Sequence, residues 1–439
     1  MNIAAAAEQA GIVGAGGAGF PTHVKLNAKA DTVIVNGAEC EPLLRVDQQL
    51  MKVYADNLLC GLDLIVEHVG ANKGVVALKA HYHEAVLELK KSLKNHPKLS
   101  IFEMGSFYPA GDEQVIVAEV TGRIVPEGGI PLNVGAIVTN VETVLNVFAA
   151  SVNQTPVTEK YFTVTGAVKN PKTIKVPIGM SMQKAIDLAG GCIPENYAII
   201  SGGPMMGKVV PPDTPITKTD KGLIVLPAGH PVLNSIGLPL DRIMRDAQIA
   251  CMQCSLCTEV CPRANLGHRL APHKNMRLAA YGSLCDKQET PMNAFLCCDC
   301  RLCEYACVMN LQPWKLNKAL KQTLSEKGVK NTLNAKPDKA SPFRELKRYP
   351  VSKLITQLGL DDYNVTASLV DELVDVKKVV IPIKQHIGAP SNPTVKVGDF
   401  VKKGVVIATI PEGKMGANIH SSIDGKIIKV TDAEIVIAK

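Results

Sequence analysis

The sequence predicts a multidomain α/β protein, and three observations lead there. Residues 1–155 alternate strand-like apolar runs with helix-like amphipathic ones. Residues 251–307 hold two four-cysteine runs. Residues from Val379 to Lys439 read as many short β patterns. A chain of 439 residues has room for two to four domains. Its hydrophobic fraction of 46% and charged fraction of 20% are ordinary for globular material, which excludes global disorder and a small disulfide-stapled scaffold.

The remaining composition narrows the function classes. Aromatics make up 4%, with one Trp, too few for a chain that stacks bases along its length, so no nucleic-acid partner is expected. The longest uncharged mid-chain stretch, Leu223–Leu240, is broken by Pro227, Pro231 and Pro239, so no transmembrane segment is expected. The opening MNIAAAAEQAGIVGAGG lacks a basic start and carries Glu8 early, so it does not read as a secretory signal. A cytoplasmic protein is expected. The net charge of +7 is unevenly spread. Residues 315–353 hold eleven Lys/Arg and three acids, which is +8 (11 − 3), leaving about −1 elsewhere. A solvated helix followed by a linker accounts for this strip; a dock for an acidic partner is the sharper alternative.

In chain order, the first element is a glycine-rich loop. Gly11, Gly14, Gly16, Gly17 and Gly19 crowd together before Phe20, and Lys25 follows. Clustered glycines let backbone N–H groups approach a phosphate, and a following Lys supplies charge. The pattern is neither a Walker A loop nor GxGxxG after a strand. A buried strand at Thr32–Val35 then ends in Asn36, Glu39 and Glu41. Polar groups at a strand's carboxyl end are where α/β sheets bind ligands. Leu58–Val69 reads as a helix, 74–78 as a strand and His83–Leu93 as a helix, giving a doubly wound α/β domain. Further polar clusters follow at Gly111–Gln114 and Val138–Thr143.

Residues 161–225 read as a hairpin with a Lys169-Asn170-Pro171 turn, a helix capped near Ser181, and a return strand at Ala198–Ser201. Met205 and Met206 read as packing residues.

The cysteines give the sharpest signal. Cys251-x2-Cys254-x2-Cys257-x3-Cys261-Pro262 is a complete run, and Cys297-x2-Cys300-x2-Cys303-x3-Cys307 repeats it. Two-residue gaps let one looping segment wrap three corners of a cubane, and the fourth Cys serves the other cluster. This assigns Cys251, Cys254, Cys257 and Cys307 to one [4Fe–4S] centre, and Cys297, Cys300, Cys303 and Cys261 to the second. Zinc prefers two C-x2-C pairs per ion and fits less well. Only Cys297 gives the x2 spacing, so Cys298 reads as a spare buried thiol, although a local shift would let it replace Cys297. Pro313 starts a helix that Gly328 ends. Together these describe an α-helical ferredoxin module. His81, His83, His268 and His273 are scattered and read as surface or capping residues. Cys40, flanked by Glu39 and Glu41, reads as an inert buried thiol.

The motifs GxGGAGFPTxxK, NGAECEP, YPAGDEQ and TNVETxxN, in this order, resemble the flavin subunit family of respiratory complex I. They resemble the RnfC proteins of the Rnf electron-transport complex more closely. The resemblance implies that the glycine loop and Lys hold FMN, with NADH lying over the flavin. Carried over by motif, Gly14, Gly16, Gly17, Lys25, Asn36, Glu39, Asn140 and Thr143 become FMN contacts. Phe20, Glu41 and Glu113 become nicotinamide-nucleotide contacts. The chain departs from the complex I pattern at Ala38, where that family has an acid, and at Leu26 and Asn27, where it has aromatics.

Residues 156–235 resemble the β-grasp (SLBB) module of the same relatives. KVGDxVKKGxxIA near the C-terminus resembles the barrel-sandwich, lipoyl-like domain. Lys414-Met415 lacks the flanking residues of a biotinylation signature, so no modification is expected there. In the RnfC proteins the barrel precedes the glycine-rich domain, whereas here it ends the chain. This order resembles the cobalamin reductases of propanediol-utilisation microcompartments. The implied layout is an FMN- and NADH-binding α/β domain at 1–155 and the SLBB module at 156–235. The α-helical ferredoxin with two [4Fe–4S] clusters follows at 240–328, then a basic linker at 329–375 and a barrel-sandwich hybrid at 376–439. The implied activity carries electrons from NADH through FMN and both clusters to cob(III)alamin or cob(II)alamin. The product would feed a cobalamin adenosyltransferase in a bacterial microcompartment, with a shell protein as a second partner. The alternatives are a non-catalytic electron wire or shell-docking scaffold, and an Rnf-like NADH:ferredoxin oxidoreductase component, which the C-terminal barrel disfavours.

Overall fold

The computed structural model describes residues 2–280, 289–371 and 374–439; Cys285 lies outside them. The N-terminal domain centres on a four-stranded parallel sheet in the order Leu99–Met104, Lys73–Lys79, Thr32–Gly37, Ala136–Asn140. Side chains alternate across it, as the pleat dictates. Val33, Val35, Val76 and Leu78 pack under the helices Ala55–Val69 and Val141–Asn153. Ile34, Ala77 and Val138 face the helix Glu113–Thr121. Helices on both faces make the domain doubly wound. The helix expected from Leu58 starts at Ala55, because its first turn, Ala55-Asp56-Asn57, is too polar to show the periodicity.

The chain leaves Thr32–Gly37 toward Lys73–Lys79 on one side and returns as Ala136–Asn140 on the other. Asn36 and Asn140 therefore stand in register at the carboxyl ends where the strand order reverses, the usual ligand position of an open α/β sheet.

The second module pairs Glu159–Gly166 with Lys172–Pro177 across the expected turn, and its helix Met182–Leu188 is capped by Ser181, whose Oγ accepts from Lys184 N at 3.3 Å. Met205 is buried as expected, while Met206 is exposed. The C-terminal unit is two small antiparallel sheets, one built on Lys378–Pro382, Glu434–Ala438 and Gly425–Val430. Its Val379, Ile381, Ile435 and Ile437 share one core with Phe162, Ile174 and Val176 of the second module.

The stretch expected as a basic linker is folded onto the other domains. Tyr349–Pro350 pairs with Phe107–Tyr108, Val351–Leu358 is a helix, and Leu369–Val370 extends the second module's sheet. Part of the basic charge of residues 315–353 is used internally. Arg344 and Arg348 both bind Glu119, Lys347 binds Glu259, and Lys315 donates to the carbonyls of Ser235, Ile236 and Leu238. These four cations are therefore taken away from any docking strip.

Three domains meet at Lys218. Its buried ammonium donates to Gly11 O and Asn418 O, both at 2.7 Å. Nearby, His420 is buried with no hydrogen-bond partner for Nδ1. Burial and the Lys218 charge push its pKa down to about 4 from 6.5. The folded chain keeps this ring neutral while the unfolded chain protonates it. Stability is therefore intact above pH 6.5 and falls by about 3 kcal/mol as pH drops to 4. Urea midpoints measured across that window should fall less steeply for His420→Gln than for the parent; parallel curves would refute the assignment.

Candidate functional site

The glycine loop is held at both ends. Gly14 N donates to Phe20 O at 2.9 Å, and Ala15 N donates to Thr143 Oγ1 at 2.9 Å, in the first turn of the helix Val141–Asn153. Between them Gly16, Gly17 and Ala18 are exposed. Gly17 has φ +112°, which side-chain-bearing residues rarely adopt, and open space where a Cβ would stand. A Cβ on Gly16 would lie 3.6 Å from the Asn140 side chain. The loop thus presents bare backbone beside the switch point.

Lys25 reaches the same place. Its Nζ donates to Val138 O at 2.8 Å, lies 3.8 Å from Glu113 and sits 5.9 Å from the Phe20 ring centroid. Asn140 caps the helix by accepting from Glu142 N and donates to both oxygens of Asp47. Asn36 donates to Gly111 O at 2.8 Å. Gly14, Gly16, Gly17, Phe20, Lys25, Asn36, Glu113, Asn140 and Thr143 are therefore brought to one end of the sheet. Exposed backbone, an ammonium and helix-capping amides suit a phosphate-bearing group, so Gly14, Gly16, Gly17, Lys25, Asn36, Asn140 and Thr143 fit FMN, while the nicotinamide candidates Phe20 and Glu113 lie beside Lys25.

Two carboxylates go elsewhere. Glu39 is buried at φ +36° and accepts from the backbone N–H groups of Asp47 and Gln48 at 3.0 and 3.2 Å. Burial raises its pKa, and Asp47 adds to the rise. It caps the helix Val46–Val53. Glu41 accepts from Met205 N at 2.9 Å and packs against Gly203, in the junction with the second module. Burial pushes its pKa up to about 7. Sequence reasoning missed Asp47, which is buried and paired with Lys221, because an Asp in an amphipathic helix carries no signal of its own.

The cysteines assemble across the two runs. Cys251, Cys254, Cys257 and Cys307 line one cavity. Cys261, Cys297, Cys300 and Cys303 line a second, with Cys298 beside them. Among the described residues no three His, Cys, Asp or Glu side chains converge on a single ion; thiols spread around a cavity suit the corners of a cubane. Burial and neighbouring thiols push Cys257 up to about 12, and burial does the same for Cys261. Both are protonated without metal, so loading the sites must release protons.

The backbone repeats with the sequence. The runs start 46 residues apart (297 − 251). Gln253 and Ser255 have φ +56° and +63°; Asp299 and Arg301, at the equivalent places, have +56° and +64°. The helices Leu256–Glu259 and Leu302–Tyr305 also correspond. In this register Cys297 matches Cys251, and Cys298 matches Met252.

The second cavity abuts the flavin-like domain. Tyr108 Oη donates to Cys300 O at 2.9 Å, and the buried Arg263 pairs with Asp112 at 2.8 Å. Asp112 caps the helix Glu113–Thr121, and its neighbour Gly111 receives Asn36. One short segment, Phe107–Asp112, therefore links the glycine-loop end of the sheet to the second thiol set.

Comparison with known proteins matches this layout. Residues 7–149 match the Nuo51 FMN-binding domain, 161–209 the SLBB domain, 250–312 a 4Fe-4S dicluster domain and 363–439 the RnfC barrel sandwich hybrid domain. The C component of the Na(+)-translocating ferredoxin:NAD(+) oxidoreductase complex of Acetobacterium woodii is 38% identical over 58% of this chain and 56% of its own. Cobalamin reductase PduS of Salmonella typhimurium is 40% identical over 98% of this chain and 95% of its own. That of Citrobacter freundii is 41% identical over the same shares. Similarity along both whole chains, with the barrel at the C-terminal end, shows that this chain belongs to the family of cobalamin reductase PduS.

Proposed function

We propose that the protein passes electrons from NADH through FMN and two [4Fe–4S] clusters to cob(III)alamin or cob(II)alamin, supplying a cobalamin adenosyltransferase within a bacterial microcompartment. The observation that carries this reading is the end-to-end similarity to cobalamin reductase PduS. When bound, FMN converts between a two-electron hydride donor and one-electron carriers. The chain's own residues do the rest. The bare backbone at Gly16 and Gly17 offers N–H groups to the flavin phosphate, and Lys25 balances its charge. The buried Arg263–Asp112 pair and the Tyr108–Cys300 bond hold the second thiol set against the flavin-like domain.

A charge-assisted contact contributes about 1.5–3 kcal/mol, so Lys25→Met should weaken FMN about 10- to 100-fold. A fluorescence titration checks this, and unchanged affinity would remove Lys25 from the site. The reading as a whole is tested anaerobically on reconstituted protein. NADH is added while flavin absorbance is followed, with and without hydroxocobalamin. Bleaching followed by cob(II)alamin formation is the expected result; bound flavin that NADH leaves oxidised defeats the NADH arm.

One observation favours a second reading. Glu41, a nicotinamide candidate, is occupied by the second module. An electron wire fed by a protein partner needs no such residue and would show no NADH turnover.

A further inference from the structure

Among the described residues, the internal repeat of the cysteine module leaves one face uncovered. On the second half, the face around the cavity is filled by the flavin-like domain and the second module. Leu302 is 1% exposed and packs with Leu43 and Tyr108; Pro262 is buried; Arg263 is locked onto Asp112. Forty-six residues away in each case, the equivalents on the first half are Leu256, Val308 and Met309. All three are exposed, Leu256 at 39%. Met252, the equivalent of Cys298, lines the first cavity together with Val308 and Met309, and Ile249, two residues before Cys251, is 79% exposed. Cys254, also exposed, lies among them. Scattered apolar residues need no explanation, but a patch gathered around one site marks an interaction surface.

The rim is basic. Lys274 and Arg277 are exposed on the helix Pro272–Ala280, and Arg277 donates to Gln253, which itself donates to Cys251 Sγ at 3.1 Å. Arg245 is exposed on the helix Leu240–Ala250. The nearby acids Asp246 and Glu259 are taken up by Arg242 and Lys347.

We propose that this face docks a second redox protein, one with a one-electron centre near an apolar surface ringed by acidic residues. The inference rests on the electron-carrying reading and adds a direction to it: the second thiol set faces the flavin and the first faces the partner. A protein is favoured as occupant because the equivalent face on the other half is covered by folded domains, through a leucine contact and an arginine–carboxylate pair. The step moves one electron into the partner's centre, with no bond made or broken.

The test loads electrons without NADH, so a failed nicotinamide site does not affect it. Reconstituted protein, reduced with photoreduced deazaflavin, is mixed with plant plastocyanin (an acidic one-electron acceptor), with basic cytochrome c, or with hydroxocobalamin. Plastocyanin should be reduced faster than cytochrome c at low salt and should slow as salt rises. A carbodiimide should cross-link plastocyanin, and not cytochrome c, at Lys274, a readout independent of turnover. Ile249→Glu and Lys274→Glu should each slow plastocyanin reduction at least tenfold and change hydroxocobalamin reduction less than twofold. Equal losses for both acceptors would make this a corrinoid face and overturn the proposal. So would unchanged plastocyanin rates in both variants, or a cross-link that maps elsewhere.

Discussion

On the proposed two-cluster reading, Cys307→Ala should remove the cluster that the first cysteine run wraps, and Cys261→Ala the one that the second run wraps. Each single variant should lose roughly half of the iron while retaining FMN. The pairing follows from geometry. A short helix, Leu256–Glu259 or Leu302–Tyr305, carries the third cysteine of each run and turns the chain through the x3 gap before its fourth. Cys307 thus arrives beside Cys251, Cys254 and Cys257, and Cys261 beside Cys297, Cys300 and Cys303. Double variants separate this from a scheme in which each run keeps its own cluster. Cys254→Ala with Cys307→Ala should lose no more iron than either alone, because one cluster is broken twice. Cys254→Ala with Cys261→Ala should lose nearly all of it. The reverse pattern would refute the crossed assignment. Cys261→Ala should also slow acceptor reduction on the order of a hundredfold, since perturbing only the outer support of a metal site already costs 10- to 100-fold.

The legible parts of this protein are the local ones. The strand read at Thr32–Val35, which runs to Gly37, reads clearly because burial on both faces leaves Val33-Ile34-Val35 as an apolar run. The two thiol sets read clearly because three cysteines of each four lie within seven residues, where spacing alone constrains geometry. The contacts that decide the site's second layer are long-range. Arg263 finds Asp112, Lys221 finds Asp47 and Glu41 finds Met205 only once three domains have closed. Nothing in the sequence around Glu41 distinguishes a ligand contact from a domain tie. The basic stretch misleads for a related reason. Arg344 and Arg348 read as solvated charge, yet one carboxylate, Glu119, takes both. Spacing favours Cys297 over Cys298, and the repeated positive φ angles of the backbone support it by placing Cys298 in register with Met252.

The same long-range logic predicts the largest stability effect. Glu142 lies in the first turn of the helix that Asn140 caps, and Lys160 lies on the first strand of the next module. Their side chains pair, at 1% and 2% exposure, and Glu142 also accepts from Tyr161 N at 3.0 Å. Burial pushes the Lys160 pKa down, the Glu142 charge opposes that, and the Lys221 charge adds to the fall. Taking away the carboxylate strands an ammonium where water does not reach. Glu142→Ala should therefore cost about 3–5 kcal/mol, and Lys160→Met, which strands the carboxylate, a similar amount. Replacing both partners together, Glu142→Leu with Lys160→Met, should recover most of the loss, because two apolar groups leave no charge unpaired. Urea unfolding followed by circular dichroism reads all three. Additive losses in the double variant would show that the pair is not coupled, and single losses below about 1 kcal/mol would show that it behaves as a solvated surface pair. The flavin site should feel the change as well. The turn that holds Glu142 also holds Thr143, which anchors the glycine loop through Ala15 N. Glu142→Ala should therefore weaken FMN binding without touching any atom proposed to contact it, whereas the double apolar variant should restore it.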